Sequence, residues 1–327
     1  MSPRQRSLAV GAALVTVWVL WGSTYLGIHV VVAEAPPLLS AGFRFLVAGL
    51  ALLGGTALWR RRAGGERLTD ALRGNLGGLT LLGLLHFTVA NGLVSIASQT
   101  LHSSAAGLLF ATVPVWILLI GVVARQGRAG AADYVSVVVG LLGVVVLLGF
   151  QPGSMVASGG VLLAAVTWAL AGTVGAGRPW RERLEAVDVV SSSGVQMVAG
   201  GTGLLLAAVA SEDLSRFSVF DVTPQAWLAE GYLVVGGSMV GFIAYNVLFA
   251  LRADPRLIGT FSYVNPLIAV VLGVVVLGEP AGTTLAVGTC LVTLSVFVTI
   301  RSTSRSAREG ADGGLSTHER TLQGMSK

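Results

Sequence analysis

Stretches of roughly nineteen or more nearly uncharged residues recur from one end of this chain to the other, and no other feature limits its fold so tightly. At about 1.5 Å of rise per residue, each such stretch is long enough as a helix to cross roughly 30 Å of hydrocarbon. Composition agrees. Apolar residues make up 54% of the 327, charged residues only 11%, and the mean hydropathy is +0.79, whereas a soluble domain is about one quarter charged. The chain reads as an all-α, multi-pass membrane protein with no water-soluble domain.

Arg4 and Arg6 precede the first apolar run, as in a signal peptide. That run continues from Leu8 to Val32, too long for a cleaved core, and no small-x-small cleavage site follows it. It reads as the first transmembrane helix. The single cysteine, Cys290, lies in an apolar stretch and points to neither an internal disulfide nor a redox role. Twenty arginines stand against one lysine, Lys327, beside abundant Gly, Ala and Val, a bias expected of a GC-rich bacterial genome.

The pattern predicts ten spans, at about 8–32, 38–59, 75–98, 103–124, 132–150, 159–177, 188–210, 229–251, 258–278 and 282–300, with polar residues 302–327 as a disordered tail. Basic residues concentrate in cytoplasmic segments of membrane proteins. With the N-terminus inside, 19 of the 21 basic residues fall on inside segments, Arg216 falls outside, and Arg44 lies within a span. Ten spans with both termini in the cytoplasm of a plasma membrane follow as the expected topology.

The chain also resembles itself. "GLLFATVPVWILLIGVV" (107–123) aligns with "GTFSYVNPLIAVVLGVV" (259–275), matching Gly107, Pro114, Gly121, Val122 and Val123 to Gly259, Pro266, Gly273, Val274 and Val275. Upstream, "FTVAN" (87–91) pairs with "FIAYN" (242–246). A duplication with five spans in each half, an odd number, inserts the halves in opposite orientation. The expected division is 1–151 and 152–301, two inverted five-helix repeats around a central cavity. Such repeats are characteristic of transporters, with the substrate site near the midplane.

Candidate site residues follow from polar and aromatic groups at depth. Pro114 and Pro266 lack the N–H that would bond the carbonyls of Phe110 and Ser262. They predict either paired kinks at the cavity or ordinary kinks relieved by neighbouring helices. Trp21 and Tyr25 share a face with Trp18 and lie beside Ser23 and Thr24; interface belts and simple packing are the alternatives to a cavity wall. Asn91, Trp168, Tyr245, Asn246, Tyr263 and Asn265 complete the predicted substrate-binding set, with interhelical hydrogen bonding as the rival reading. Asn91 and Asn246 hold equivalent repeat positions and are expected to face one cavity.

Together, "WGSTYLGIHVV", "PPLLSAGFRFLVAGL", the two prolines and "VVVLGEP" resemble the EamA-type transporters of the drug/metabolite transporter superfamily. The resemblance spans residues 8–300 and implies export of small metabolites or drugs through a cavity between two five-helix halves. One departure is visible: the first half has "VARQGR" where a counterpart of Gly278-Glu279 is expected.

Arg44, flanked at i±4 by Ser40 and Ala48, reads chiefly as a structural charge, turned into the bundle onto backbone carbonyls or snorkelling outward. Direct contact with a substrate carboxylate is the alternative. The expected activity is secondary transport by alternating access, exporting a small neutral or zwitterionic, amino-acid-like metabolite or an amphipathic drug. The only expected partners are that substrate and the lipid bilayer, with no nucleic acid and no cofactor or metal. A non-transporting assembly partner is the runner-up. An intramembrane enzyme is disfavoured, because all sixteen acidic residues are placed in loops or at helix ends and no H-E-x-x-H occurs. With His86 the only deep group titrating near neutrality, and turned about 140° from Asn91, transport is expected to be uncoupled from protons.

Overall fold

The computed structural model describes residues 2–64, 68–124, 130–150, 154–176, 187–251, 253, 257–258 and 260–298. Ten apolar helices account for most of them. In chain order they are α1 (Pro3–Val32), α2 (Pro37–Arg62), α3 (Leu76–Ala97), α4 (Ser103–Val123) and α5 (Ala131–Phe150). Then come α6 (Met155–Ala176), α7 (Val189–Ser211), α8 (Pro224–Leu248), α9 (Phe261–Leu277) and α10 (Thr283–Val298). Seven are long and apolar enough to cross a membrane; the apolar part of α5 (Tyr134–Leu147), α9 and α10 are shorter. Among the described residues there is no strand. The division expected at 151/152 and the tail expected at 302–327 lie outside the described residues.

One boundary differs instructively. The eighth helix begins at Pro224, five residues before the expected 229. Thr223 caps it, its hydroxyl accepting the Ala226 N–H at 3.4 Å, with Pro224 in the first turn. A Thr-Pro pair starts a helix there because the hydroxyl satisfies an orphan donor and proline has none to satisfy. The earlier start places Glu230 inside the helix rather than at its end.

The most extensive helix contact joins α2 to α7. A Cβ on Gly42 would lie 2.8 Å from Leu205, one on Gly49 2.7 Å from the Val198 nitrogen, and one on Gly201 2.6 Å from the Leu46 nitrogen. With little hydrophobic drive between helices in lipid, this close backbone approach supplies the dispersion contact. Phe45, Leu52, Phe87, Met197 and Leu204 are buried alongside. The pair is also tied at both ends. Arg60 meets Asp188 at 2.7 Å, and Glu212 accepts the Leu38 and Leu39 N–H groups at 2.7 and 3.0 Å. At the end where α1 finishes and α8 begins, Glu34 accepts from the Thr223 N–H and hydroxyl, both at 2.7 Å.

Glu279 makes a fourth such tie. It follows Gly278, whose φ of +66° is the left-handed value that ends α9. Its carboxylate accepts the Ser103 N–H and hydroxyl at 2.7 Å, the Ser104 N–H at 3.1 Å, and the Ser104 hydroxyl. A carboxylate belongs at the first turn of α4, where N–H groups lack partners and the helix dipole is positive.

Two helices depart from α geometry. α3 passes through a π-helical segment, Leu84–Asn91, and α8 through another, Leu233–Val240. Each widens the backbone ring within a helix that reaches the cavity described next.

Candidate functional site: an aromatic and amide-walled cavity

The cavity, about 110 Å³ in volume, is walled by residues of α1 to α4, α6, α8 and α9. A water needs roughly 10–15 Å³ by this measure, so the space holds several waters or part of a small organic molecule. Of the predicted residues, Trp21, Tyr25, Asn91, Trp168 and Asn265 line it, as do Arg44 and Pro266.

Trp21 is the most constrained of these. Its ring packs on Phe242 and Tyr245 at 5.0 Å and edge-on to Phe261 at 5.6 Å. Its Nε1–H donates to the Gly237 carbonyl at 3.1 Å, inside the π segment of α8. Asn91 does the same for α3, its Nδ2 donating to the His86 carbonyl at 2.9 Å, five residues back. Each π segment thus has one carbonyl held by a cavity side chain. Asn265, in the amide orientation that satisfies it, donates to the Phe261 and Trp18 carbonyls at 3.2 and 3.3 Å.

Three predicted residues fall elsewhere. Tyr245 stands behind Trp21 and packs on Phe261 at 5.7 Å, completing the aromatic cluster without reaching the wall. Asn246 donates to the Ser193 hydroxyl at 2.9 Å, linking α8 to α7. Tyr263 packs on Phe297 of α10, with centroids 6.1 Å apart. The equivalence of Asn91 and Asn246 in sequence therefore does not carry to one cavity. The π segments explain the mismatch: Asn91 ends one, whereas Asn246 lies six residues beyond the other, so the two face different neighbours.

The prolines also differ from expectation. α4 is interrupted at Ala111 and Thr112, and Pro114 sits in the first turn of the next segment, Val113–Val123, where its missing N–H costs little. Pro266 alone sits inside a helix and lines the cavity.

Arg44 neither snorkels nor bonds backbone carbonyls. It is 4% exposed; its guanidinium lies 4.1 Å above the Phe45 ring, and Nη2 donates to Asn91 Oδ1 at 3.3 Å, while Nε has no hydrogen-bond partner. At a similar depth on α8 lies Glu230, 6% exposed, whose Oε1 is likewise unpartnered. Glu230 is the residue that the sequence reading missed. The acids are not all at helix ends, and the premise for proton-uncoupled transport falls with that. The signal was present in Thr223-Pro224. His86 is packed away from the wall, against Trp168 at 4.5 Å and beside Gln196 at 3.4 Å.

Such walls suit a small ligand with an apolar or aromatic body, met by ring faces, and a polar end, met by an amide or a guanidinium. Among the described residues no cluster of His, Cys, Asp or Glu could hold a metal ion.

The comparisons with known proteins decide the class. The model of the EamA-like transporter family matches residues 9–149 and again 156–301. The chain belongs to the EamA-like transporter family. It is 32% identical over 283 residues to the inner membrane transporter YedA of Escherichia coli K12, covering 83% of this chain and 84% of that one. The transporter YvbV of Bacillus subtilis is 27% identical, covering 95% and 96%, and the protein PecM of Dickeya dadantii 24% identical, covering 88% and 91%. A crystal structure at 21% identity shares the fold, with a TM-score of 0.62 over 90% of this chain and 97% of that one. This member of the EamA-like family is a multi-pass membrane protein of the drug/metabolite transporter type.

Proposed function

We propose that the protein is a secondary transporter that exports a small neutral or zwitterionic, amino-acid-like metabolite or an amphipathic drug by alternating access. The observation that carries this reading is the cavity: Trp21, Tyr25, Asn91 and Arg44 of the first half meet Trp168 and Asn265 of the second around one space. A site walled by helices from both halves changes its exposure when groups of those helices rock against each other. Ten spans in two inverted five-helix repeats, 1–151 and 152–301, belong to the same proposal, as do cytoplasmic termini. Support comes from the two stretches matched by the family model, the aligned Pro114 and Pro266, and the arginine distribution.

The test is flux. Liposomes containing the purified protein and loaded with radiolabelled amino acids and amphipathic drugs should release at least one of them faster than protein-free liposomes. The doubly substituted Trp21→Ala/Asn91→Leu protein, reconstituted to the same density, should release it several-fold more slowly. Equal rates for all loads in all preparations would overturn the reading.

A further inference from the structure

Arg44 and Glu230 place opposite charges at similar depth from one end of the bundle. Arg44 lies seven residues into α2 and Glu230 six into α8, about 10 Å and about 9 Å along their axes. Both are more than nine-tenths buried. Each leaves a polar atom without a partner, Nε of Arg44 and Oε1 of Glu230. The two helices touch at this depth, Phe43 beside Arg44 packing edge-on to Trp227 one turn before Glu230 with centroids 6.4 Å apart, yet no hydrogen bond closes between those atoms. Arg44 touches the cavity and Glu230 does not. A cation with a spare donor therefore borders the ligand space, and a buried carboxylate at the same depth on the adjoining helix lies off the wall.

The other titratable groups on the elements packed against Glu230 are accounted for. On α1, Tyr25 lines the cavity, His29 meets the Ser98 carbonyl at 3.1 Å, and Glu34 is held by Thr223. On its own helix, Tyr232 bonds the Ser23 hydroxyl. On α2, Arg44 is the charged group at the depth of Glu230.

Resting on the transport reading above, we propose that Arg44 is the anion-binding residue of the cavity, and that a ligand carboxylate displaces Glu230 as its counter-ion while Glu230 takes up one proton from solvent. A buried carboxylate deprived of its cation is too costly to stay charged. The ligand therefore carries a carboxylate, and one proton binds with it. The charge balance closes: guanidinium with Glu230 carboxylate before, guanidinium with ligand carboxylate and neutral Glu230 after. A ligand ammonium does not replace Arg44 for Glu230, because Glu230 is off the cavity wall.

The experiment uses purified full-length protein in detergent, with the fluorescence of its tryptophans, Trp21 and Trp168 among them, as readout. The probes are 3-phenylpropanoate, which stays ionised from about pH 5.5 upward, and its neutral amide. Wild type is expected to bind the carboxylate more tightly as pH falls, by up to about tenfold per pH unit, with uptake of one proton recorded by an indicator dye in weak buffer. The amide should show neither effect. Glu230→Gln should bind the carboxylate without proton uptake or pH slope, and several-fold more tightly than wild type at the alkaline end. Arg44→Gln should lose the preference for the carboxylate; if that variant does not fold, the wild-type proton count and Glu230→Gln decide alone. Equal affinity for acid and amide, acid binding without proton uptake, an unchanged slope in Glu230→Gln, or no binding of either probe would each overturn the proposal. Flux in liposomes alongside any of these outcomes would leave the transport reading standing.

Discussion

Glu279, just beyond α9, grips the first turn of α4 through both Ser103 and Ser104, so one carboxylate fastens two helices that the sequence separates by about 175 residues. Burial alone would raise its proton affinity. The hydrogen bonds from Ser104 and Ser103 outweigh that and hold it below the usual carboxylate range. A group held low stabilises the fold above its unfolded value, and that contribution fades as pH falls through the folded one. Glu279→Gln should lower stability by about 1–2 kcal/mol, the worth of a helix cap, and flatten the loss of melting temperature between about pH 5 and about pH 3. Thermal melts of the detergent-solubilised protein over that range check both.

Gly201 packs against the backbone of Leu46, where a methyl group would lie 2.6 Å from the amide nitrogen. Backbone cannot yield as a side-chain tip can. Gly201→Ala should cost roughly 1–3 kcal/mol, and Gly201→Val should abolish folded protein in the membrane. Size-exclusion yield and melting temperature, compared with the unobstructed Gly11→Ala, measure the difference.

Asn91 and Asn246 should part company on substitution. Asn91→Leu removes a cavity amide, the bond to Arg44 and the cap on the His86 carbonyl. It should reduce flux several-fold at near-normal surface expression. Asn246→Leu breaks a bond to Ser193 between α8 and α7, and should lower the melting temperature while flux per folded molecule stays near wild type. Equal flux losses in the two variants would contradict the separation.

Membrane orientation is open to chemical labelling. In a Cys290→Ser background, cysteines are placed at Arg62, at the end of α2, and at Asp213, between α7 and α8. Impermeant thiol reagents applied to intact cells should label the Asp213 site and spare the Arg62 site. The reverse pattern would invert the proposed topology.

The helices were legible because the hydrocarbon thickness sets one length for every span, and apolar runs advertise it. Trp21, Tyr25, Asn91, Trp168 and Asn265 were legible as deep polar or aromatic groups, which need a cavity or a partner. Tyr245, Asn246 and Tyr263 met the same criterion and found partners instead, a choice made by helix rotation that composition does not encode. The π segments shift that rotation; "LLHFTVAN" does not depart from an ordinary helix sequence, and the Gly236-Gly237 pair of "LVVGGSMV" marks a weak point in a helix without saying how it turns. Glu230 was missed for a narrower reason. A span placed by hydropathy starts where apolar residues begin, whereas this helix starts at its cap, Thr223.

The glycine seam between α2 and α7 has a mechanical consequence. These helices come from different halves of the chain, yet they touch backbone to backbone and are clasped at both ends by Arg60–Asp188 and by Glu212. They form a single strut. In the alternating-access cycle proposed above, α2 and α7 would travel together, so the moving bodies would cut across the two halves of the chain.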